Sequence, residues 1–206
     1  MKIVCISDTH SHHLKVNVPE GDLLLHAGDI TKRGTEGELA EFNYWIGTLP
    51  HKHKIIIAGN HDFICEEKPE VAESLITNAI YLNDSGVEIE GLKIWGSPIS
   101  PFFHDWAFNR QRGEDIKKHW DLIPIGTDIL ITHGPPKDIL DKTFLKTHVG
   151  CEDLLHRIML VKPKIHLFGH IHEAYGQTYD QDIQFINASI MNLAFQPKHL
   201  PIVLEI

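Results

Sequence analysis

The sequence predicts a mixed α/β fold built as a four-layer α-β-β-α sandwich of two mixed sheets. Short runs of mainly β-branched apolar residues alternate with amphipathic segments along much of the chain, and runs of this length are typical of strands buried on both faces. Residues 79–96 and the last third contain short strands separated by turn sequences, which favour antiparallel pairing. Mixed strands flanked by helices imply two stacked sheets with helices outside.

In the first part of the chain, strands are expected at residues 2–6, 22–27 and 54–57, which are apolar and rich in Ile, Val and Leu. Residues 36–48 should form a helix, because apolar side chains recur there at helical spacing. These side chains are Leu39, Phe42, Trp45, Ile46 and Leu49. A second helix is expected at residues 69–77, which begin with a proline suited to a first turn.

The rest of the chain should contain further strands, two helices and one long loop. Strands are expected at residues 79–82, 87–89, 92–96, 128–131, 164–168, 174–179, 183–187 and 201–206. Residues 113–122 and 150–161 should form helices. Residues 97–111 show no periodicity and are rich in aromatic side chains, which indicates a long loop of the kind that is often functional.

The composition favours a single globular domain spanning residues 1–206. The chain has 206 residues, of which 42% are hydrophobic and 23% charged, values typical of neither a disordered nor a membrane protein. No apolar run approaches the roughly 20 residues that span a bilayer. The first strand leaves no room for a secretory leader, and the three cysteines form no paired motif. We therefore expect a cytoplasmic protein without membrane association.

The charge of the chain bears on its partners. The formal charge is −9 with neutral histidines, and two bound divalent ions would still leave it negative. Proteins that bind long nucleic acids usually present a basic face, because counterion release supplies most of the affinity. The charge therefore argues against long nucleic acid as a substrate and is compatible with a small one. The sequence contains no feature that indicates an oligomeric state.

Five short polar motifs each follow a predicted strand. They are Asp8-Thr9-His10, Gly28-Asp29, Gly59-Asn60-His61-Asp62, Thr132-His133-Gly134 and Gly169-His170-Ile171-His172. Because the carboxyl ends of neighbouring strands meet at one edge of an α/β sheet, we expect these motifs to form one cluster. Carboxylate, imidazole and amide groups without thiolates suit borderline divalent ions, with manganese the first choice and iron, zinc, nickel or cobalt the alternatives.

The order D-x-H, G-D, G-N-H-D, H and G-H-x-H resembles that of the calcineurin-type metallophosphoesterase family, over the span from Asp8 to His172. Other segments are similar to the brain-type metallophosphoesterase-domain proteins and their bacterial relatives. These segments are Thr132-His133-Gly134-Pro135-Pro136, Val149-Gly150-Cys151, Phe168-Gly169-His170-Ile171-His172-Glu173, Ile186-Asn187-Ala188-Ser189 and Phe195-Gln196-Pro197. The resemblance implies the α-β-β-α fold and two divalent ions.

The same resemblance assigns a role to each motif residue. The first ion would be held by Asp8, His10 and His172, the second by Asn60, His133 and His170, and Asp29 would bridge them. His61 is assigned to neither ion, and both the resemblance and the chemistry place it beside the leaving oxygen as the general acid. Asp62 either orients His61 or holds the turn by backbone hydrogen bonds, and the turn is the simpler role.

Four residues of the aromatic loop region are candidate substrate contacts. Phe102 and Trp106 could stack on a base, and Arg110 and Arg112 could contact phosphate. The alternative is that this loop packs onto the body of the protein.

Many of the 16 histidines lie outside the motifs. Those in polar stretches, such as His13 and His51, are expected to be solvated. His26 and His166 lie within predicted strands and are expected to be core groups with satisfied hydrogen bonds.

These features predict a dinuclear metal-dependent phosphodiesterase. Its substrates would be small phosphodiesters, with cyclic nucleotides among the candidates, hydrolysed by in-line attack of a metal-bound hydroxide. Two alternatives remain open. A phosphomonoesterase or short-substrate nuclease could use the same site, and a catalytically weak metal-binding scaffold could keep the same fold.

Overall fold

The computed structural model describes residues 1–206 and contains a first sheet of five strands. These strands are β1 (Lys2–Ile6), β2 (Leu23–Ala27), β3 (His53–Ile57), β4 (Ile80–Tyr81) and β13 (Ile202–Glu205). Their order across the sheet is β13-β1-β2-β3-β4. All neighbours are parallel except β13, which pairs antiparallel with β1.

The second sheet has six strands. They are β5 (Ser85–Ile89), β6 (Leu92–Ser97), β9 (Ile129–Thr132), β10 (Ile165–Phe168), β11 (Gly176–Asp180) and β12 (Ile183–Asn187). Their order is β11-β12-β10-β9-β6-β5, with antiparallel strands at the two edges and four parallel strands between them. The antiparallel pairing expected for the C-terminal third therefore holds between β11 and β12 and for β13, whereas the other neighbour of β12, β10, is parallel to it.

Five α-helices complete the fold. They are α1 (Glu36–Thr48), α2 (Phe63–Glu67), α3 (Pro69–Leu75), α4 (Glu114–Trp120) and α5 (Glu152–Val161). The sequence did not predict α2, because five residues are too few to show a helical repeat. The predicted aromatic loop also contains two short paired strands, β7 (Ser100–Pro101) and β8 (Asn109–Arg110). Every helix falls short of the length and apolar character needed to cross a bilayer.

Alternation along the strands separates two apolar layers. In β1, Ile3 and Cys5 share a buried cluster with Ile129 and Leu167 of the second sheet. Val4 and Ile6 instead belong to the cluster that contains the buried faces of the helices. Successive side chains of a strand point to opposite faces, so the sheets stack on each other and the helices cover them outside. The predicted sandwich of two mixed sheets is thus confirmed.

Two of the histidines expected to be solvated are buried. His13 and His51 are 1% and 3% exposed. The ring of His13 lies 5.7 Å from that of Phe42 and 5.1 Å from that of Trp45, between centroids. Polar neighbours in sequence misled the prediction, because a short 3-10 turn points this side chain inward. His26 and His166 are buried, as expected.

Candidate metal centre

The five polar motifs converge at one edge of the sandwich, where parallel strands of both sheets end. In the first sheet, the chain leaves β1, β2 and β3 just before Asp8, Asp29 and Asn60. In the second sheet, it leaves β9 and β10 just before His133 and His170. Because the sheets are stacked, the two sets of loops face each other. The predicted convergence of the motifs is therefore present in the structure.

One group of side chains comprises Asp8, His10 and His172, whose ligand atoms all lie within 4.8 Å of one another. Nε2 of His172 is 3.5 Å from Oδ1 of Asp8 and 3.3 Å from Nε2 of His10. All three side chains are less than 10% exposed. This is the group that the resemblance assigns to the first ion.

A second group comprises Asp29, His133 and His170, again with ligand atoms within 4.8 Å of one another. Asn60 joins this group, because its Oδ1 lies 2.9 Å from Nε2 of His133. These are the residues that the resemblance assigns to the second ion, together with the bridging carboxylate.

Asp29 faces both groups with different oxygens. Its Oδ2 is 3.6 Å from Nε2 of His10, and its Oδ1 is 3.4 Å from Nε2 of His133. The carboxylate is almost fully buried. This is the position that a bridging ligand requires, since each ion of a pair would meet one oxygen.

Backbone carbonyls orient two of the imidazoles. Nδ1 of His133 donates to the carbonyl of Ala27 at 2.9 Å, and Nδ1 of His172 donates to the carbonyl of Asn192 at 3.2 Å. A carbonyl only accepts, so in each neutral ring the proton lies on Nδ1 and the lone pair of Nε2 points into the site. Such a backbone contact is the usual way in which a metal-binding histidine is held.

The resulting arrangement of acceptors fits a bound cation. Nε2 of a neutral His133 would face the amide oxygen of Asn60 and the carboxylate of Asp29 without a donor between them. Buried acceptors that converge in this way repel one another unless a positive charge lies among them. Oxygen and imidazole donors of this kind suit divalent ions of the first transition row. The residues of both groups therefore fit the ions that the motifs predict.

Charges within the site shift its pKa values strongly. Burial alone would lower the pKa of His133, but the Asp29 carboxylate raises it to about 9. Burial lowers the pKa of His10 to about 4 and that of His170 to about 3. His10 and His170 are therefore neutral and able to ligate at pH 7, and a cation could take the place of the proton on His133.

The backbone of the site is strained. Four of the proposed ligands adopt left-handed φ values, which are 56° at Asp8, 41° at His10, 53° at Asp29 and 68° at His170. Such conformations are uncommon outside glycine and cluster at functional sites, where packing holds them. No sequence pattern indicated this feature.

Two glycines allow the motif loops to approach each other. A β-carbon at Gly59 would lie 2.4 Å from Oδ1 of Asp29, and one at Gly169 would lie 2.1 Å from Oδ2 of Asp8. Both distances are far inside van der Waals contact. Any larger side chain at either position would therefore crowd the carboxylates.

His61 lies next to the metal groups, and one of its ring nitrogens is within 4.8 Å of ligand atoms of His10 and Asp29. Its Nδ1 donates to the carbonyl of Lys32 at 3.0 Å, which leaves Nε2 free. Its ring centroid is 4.6 Å from that of His10 and 4.4 Å from that of Trp106. The side chain is partly exposed, so a substrate can reach it.

Asp62 holds the turn. Its carboxylate accepts hydrogen bonds from the backbone N–H groups of Ile30, Thr31 and Gly59, and from the Thr31 hydroxyl. These contacts join the loops after β2 and β3. They do not involve the His61 ring.

The predicted substrate contacts separate into two kinds. Arg110 pairs with Glu66 at 2.9 Å and also donates to the carbonyl of Asn109. Arg112 donates to the carbonyls of Gly150 and Val149 at 2.8 and 2.7 Å. Both guanidinium groups are thus engaged in internal contacts and anchor loops, and their expected role as phosphate ligands stays a prediction. Phe102 is exposed, whereas Trp106 is half-buried and its ring lies 5.8 Å from that of Phe63, between centroids.

Phe195 is a residue of the site that sequence reasoning missed. Its ring centroid lies 5.1 Å from that of His10 and 5.0 Å from that of His172, although about half of the residue is exposed. The only signal was its place in the Phe195-Gln196-Pro197 segment of the family resemblance, which implied no role for it.

Comparison with known families agrees with this fold. The family model described as calcineurin-like phosphoesterase matches residues 1–174. The chain therefore belongs to the calcineurin-like phosphoesterases, a family of metal-dependent phosphoester hydrolases. The predicted family is confirmed.

Two curated relatives carry the name metallophosphoesterase domain-containing protein 1, one from Homo sapiens and one from Mus musculus. Each is 43% identical to this chain over 230 residues, which cover 100% of the chain and 71% of the relative. Among solved structures, TT1561 of Thermus thermophilus superposes with a TM-score of 0.59 at 13% identity, covering 90% of this chain and 88% of that one. This structural likeness supports the fold.

Proposed function

We propose that this protein is a dinuclear phosphodiesterase that hydrolyses small phosphodiesters. The observation that supports two ions acting together is the Asp29 carboxylate, whose oxygens face His10 and His133 at 3.6 and 3.4 Å. When bound, a pair of divalent ions neutralises charge on the phosphoryl oxygens and supplies the attacking water in an activated form. Asp8, His10 and His172 would hold one ion, Asn60, His133 and His170 the other, and Asp29 would bridge them.

The chain's own residues supply the rest of the chemistry. A protonated His61 would keep its Nδ1–H bond to the carbonyl of Lys32 and present Nε2–H to the leaving oxygen. Proton donation at this point assists departure of a poor leaving group. Asp62 keeps the loop that carries His61 in place through its four hydrogen bonds.

Charge favours a diester over a monoester. A monoester carries about one more negative charge than a diester at neutral pH, and that charge needs a cationic partner. Arg110 and Arg112 are engaged with Glu66 and with backbone carbonyls. Their engagement leaves the singly charged diester as the better match. Cyclic nucleotides carry this single charge and are among the candidate substrates.

The test is hydrolysis of bis(4-nitrophenyl) phosphate and 4-nitrophenyl phosphate by protein of known metal content, with manganese supplied. We expect the diester to be the better substrate and Asp29→Asn to abolish its hydrolysis together with binding of the second ion. The matched control is Asp180→Asn, at an exposed position of β11. Hydrolysis of the monoester alone would contradict the proposal. Bound metal without hydrolysis of either ester would favour a scaffold role.

A further inference from the structure

A cavity of about 310 Å³ opens beside the metal centre. Its walls include Phe102, Phe103, Arg112, Pro135, Val149 and Ile171. His170, the proposed ligand of the second ion, forms part of the same lining, whereas His61 does not. The cavity therefore meets the site at a ligand and lies apart from the candidate acid.

The backbone that carries the exposed aromatic side chains of this cavity is held by hydrogen bonds. Phe102 and Phe103 are 48% and 42% exposed, although large apolar side chains gain free energy when they are buried. The backbone N–H of Phe102 donates to the carbonyl of Arg110 at 2.8 Å, and that of Phe103 donates to Oδ1 of Asn109 at 3.1 Å. An exposed apolar wall held by hydrogen bonds next to a polar centre is typical of a ligand contact.

Phe103 separates the cavity from the acid. On one side its ring lies parallel to that of Trp106, with an interplanar angle of 11° and centroids 6.4 Å apart. Trp106 in turn lies 4.4 Å from His61. On the other side Phe103 faces the cavity, and its ring edge meets that of His170 at 5.7 Å between centroids.

Arg112 adds a planar cation to the wall. Two of its N–H groups donate to the carbonyls of Gly150 and Val149, which holds the plane of the guanidinium in the wall. A guanidinium held in this way stabilises an aromatic ring that lies over its face.

We propose that this cavity binds the retained substituent of the phosphodiester and that this substituent is a flat aromatic group, such as an aryl ring or a nucleobase. The inference rests on the proposed function. The leaving group must contact His61, which lies outside the cavity, and the phosphate must lie at the ions. The retained substituent is then the part of the substrate that extends past His170 to Phe103.

The test compares two diesters that share one leaving group, phenyl 4-nitrophenyl phosphate and methyl 4-nitrophenyl phosphate. Because the leaving group is the same, the ratio of their kcat/KM values reports recognition of the retained substituent. We expect the phenyl ester to be preferred about tenfold or more, since an aryl ring buries far more apolar area than a methyl group. Phe103→Leu should reduce that preference about threefold or more. Phe103→Tyr keeps an aromatic ring at this position and should retain the preference of the parent protein.

A control variant and a binding measurement complete the test, and the binding measurement separates this inference from the proposed function. Tyr44→Leu removes an exposed aromatic side chain of α1 and should leave the preference unchanged. Isothermal titration calorimetry with phenylphosphonate and methylphosphonate, on the manganese-loaded protein, measures the same preference without turnover. If neither ester is hydrolysed but phenylphosphonate binds more tightly in a Phe103-dependent way, the cavity binds an aromatic group as inferred while the proposed hydrolytic function fails. Equal kcat/KM values for the two esters, unaffected by Phe103→Leu, would overturn the inference alone.

Discussion

The backbone N–H of His61 donates a hydrogen bond to Oδ1 of Asp29 at 2.8 Å. The candidate acid and the candidate bridging carboxylate are therefore held at a defined separation by a contact that does not depend on the His61 side chain. Substitution of that side chain should leave the carboxylate in place. The acid and the metal centre can thus be tested separately.

For His61→Ala we expect unchanged metal content and a turnover lower by about 10²- to 10⁴-fold, which is the usual contribution of a general acid. The loss should be greatest for alkoxide leaving groups and smallest for 4-nitrophenolate, which leaves without a proton. The measurement is kcat for a series of diesters with leaving groups of graded acidity. Full activity of the variant on a poor leaving group would show that His61 is not the acid.

Gly59→Ala should damage the metal centre from a position that is not itself a ligand. Its β-carbon would lie 2.4 Å from both the N and Oδ1 atoms of Asp29, so the bridging carboxylate must move. We expect weaker binding of the ions by calorimetry and a lower free energy of unfolding by about 1 to 3 kcal/mol.

The control for that substitution is Gly37→Ala in α1, where an added β-carbon meets no atom within 4 Å. Alanine in a helix stabilises by roughly 0.5 to 1 kcal/mol relative to glycine. Equal behaviour of the two variants would contradict the proposed crowding at Gly59.

Glu66→Gln should loosen the aromatic loop. The Glu66 carboxylate accepts from Nη1 of Arg110 at 2.9 Å and from the backbone N–H of Phe108 at 2.7 Å. Loss of its charge should lower the free energy of unfolding by about 1 kcal/mol and speed limited proteolysis between residues 102 and 109. Glu67→Gln, at the exposed neighbouring position, is the matched control. Unchanged proteolysis of the Glu66 variant would indicate that other contacts hold the loop.

His166 should make stability fall in acid. Burial lowers its pKa to about 3, whereas an unfolded histidine titrates near 6.5. Between these values the unfolded chain binds a proton that the folded chain does not, so stability is full above pH 6.5 and falls as the pH is lowered. The slope is about 1.4 kcal/mol per pH unit for one such group.

When the pH is lowered from 7 to 5, the free energy of unfolding of His166→Gln should therefore fall by about 2 kcal/mol less than that of the parent protein. Urea unfolding at the two pH values, with a chelator present throughout so that metal release does not contribute, provides the measurement. His156→Gln, at an exposed position of α5, is the matched control. A parallel loss in the His166 variant and the parent would mean that His166 is protonated in the folded protein.

The motif residues and their gathering were predictable because each follows a strand. Asp8, Asp29 and His133 come directly after runs of apolar residues, and parallel strands must end at a common edge. Helix α1 was predicted with its observed bounds, since its apolar positions recur regularly over 13 residues. The five-residue α2 was missed for want of such a repeat.

Side-chain partners were less predictable than backbone elements. Arg110 and Arg112 are of the residue type expected of phosphate ligands. In the structure, Arg110 pairs with Glu66, and Arg112 donates to two backbone carbonyls. Phe195 lies 23 residues after His172 in sequence and still contacts its ring. Distances of this kind depend on how loops fold back over the sheet edge, and no local pattern encodes them.

By itself, the sequence determined the order of strands and helices, the chemistry of the ligands and the sheet edge at which they gather, because these follow from periodicity and from residue type. Only the tertiary structure decided which oxygen of Asp29 faces which histidine, which nitrogen of His133 holds the proton, and that four ligands adopt left-handed backbone conformations. These features arise from contacts between segments far apart in the chain. These contacts form, and contribute to stability, only when both sheets are packed together.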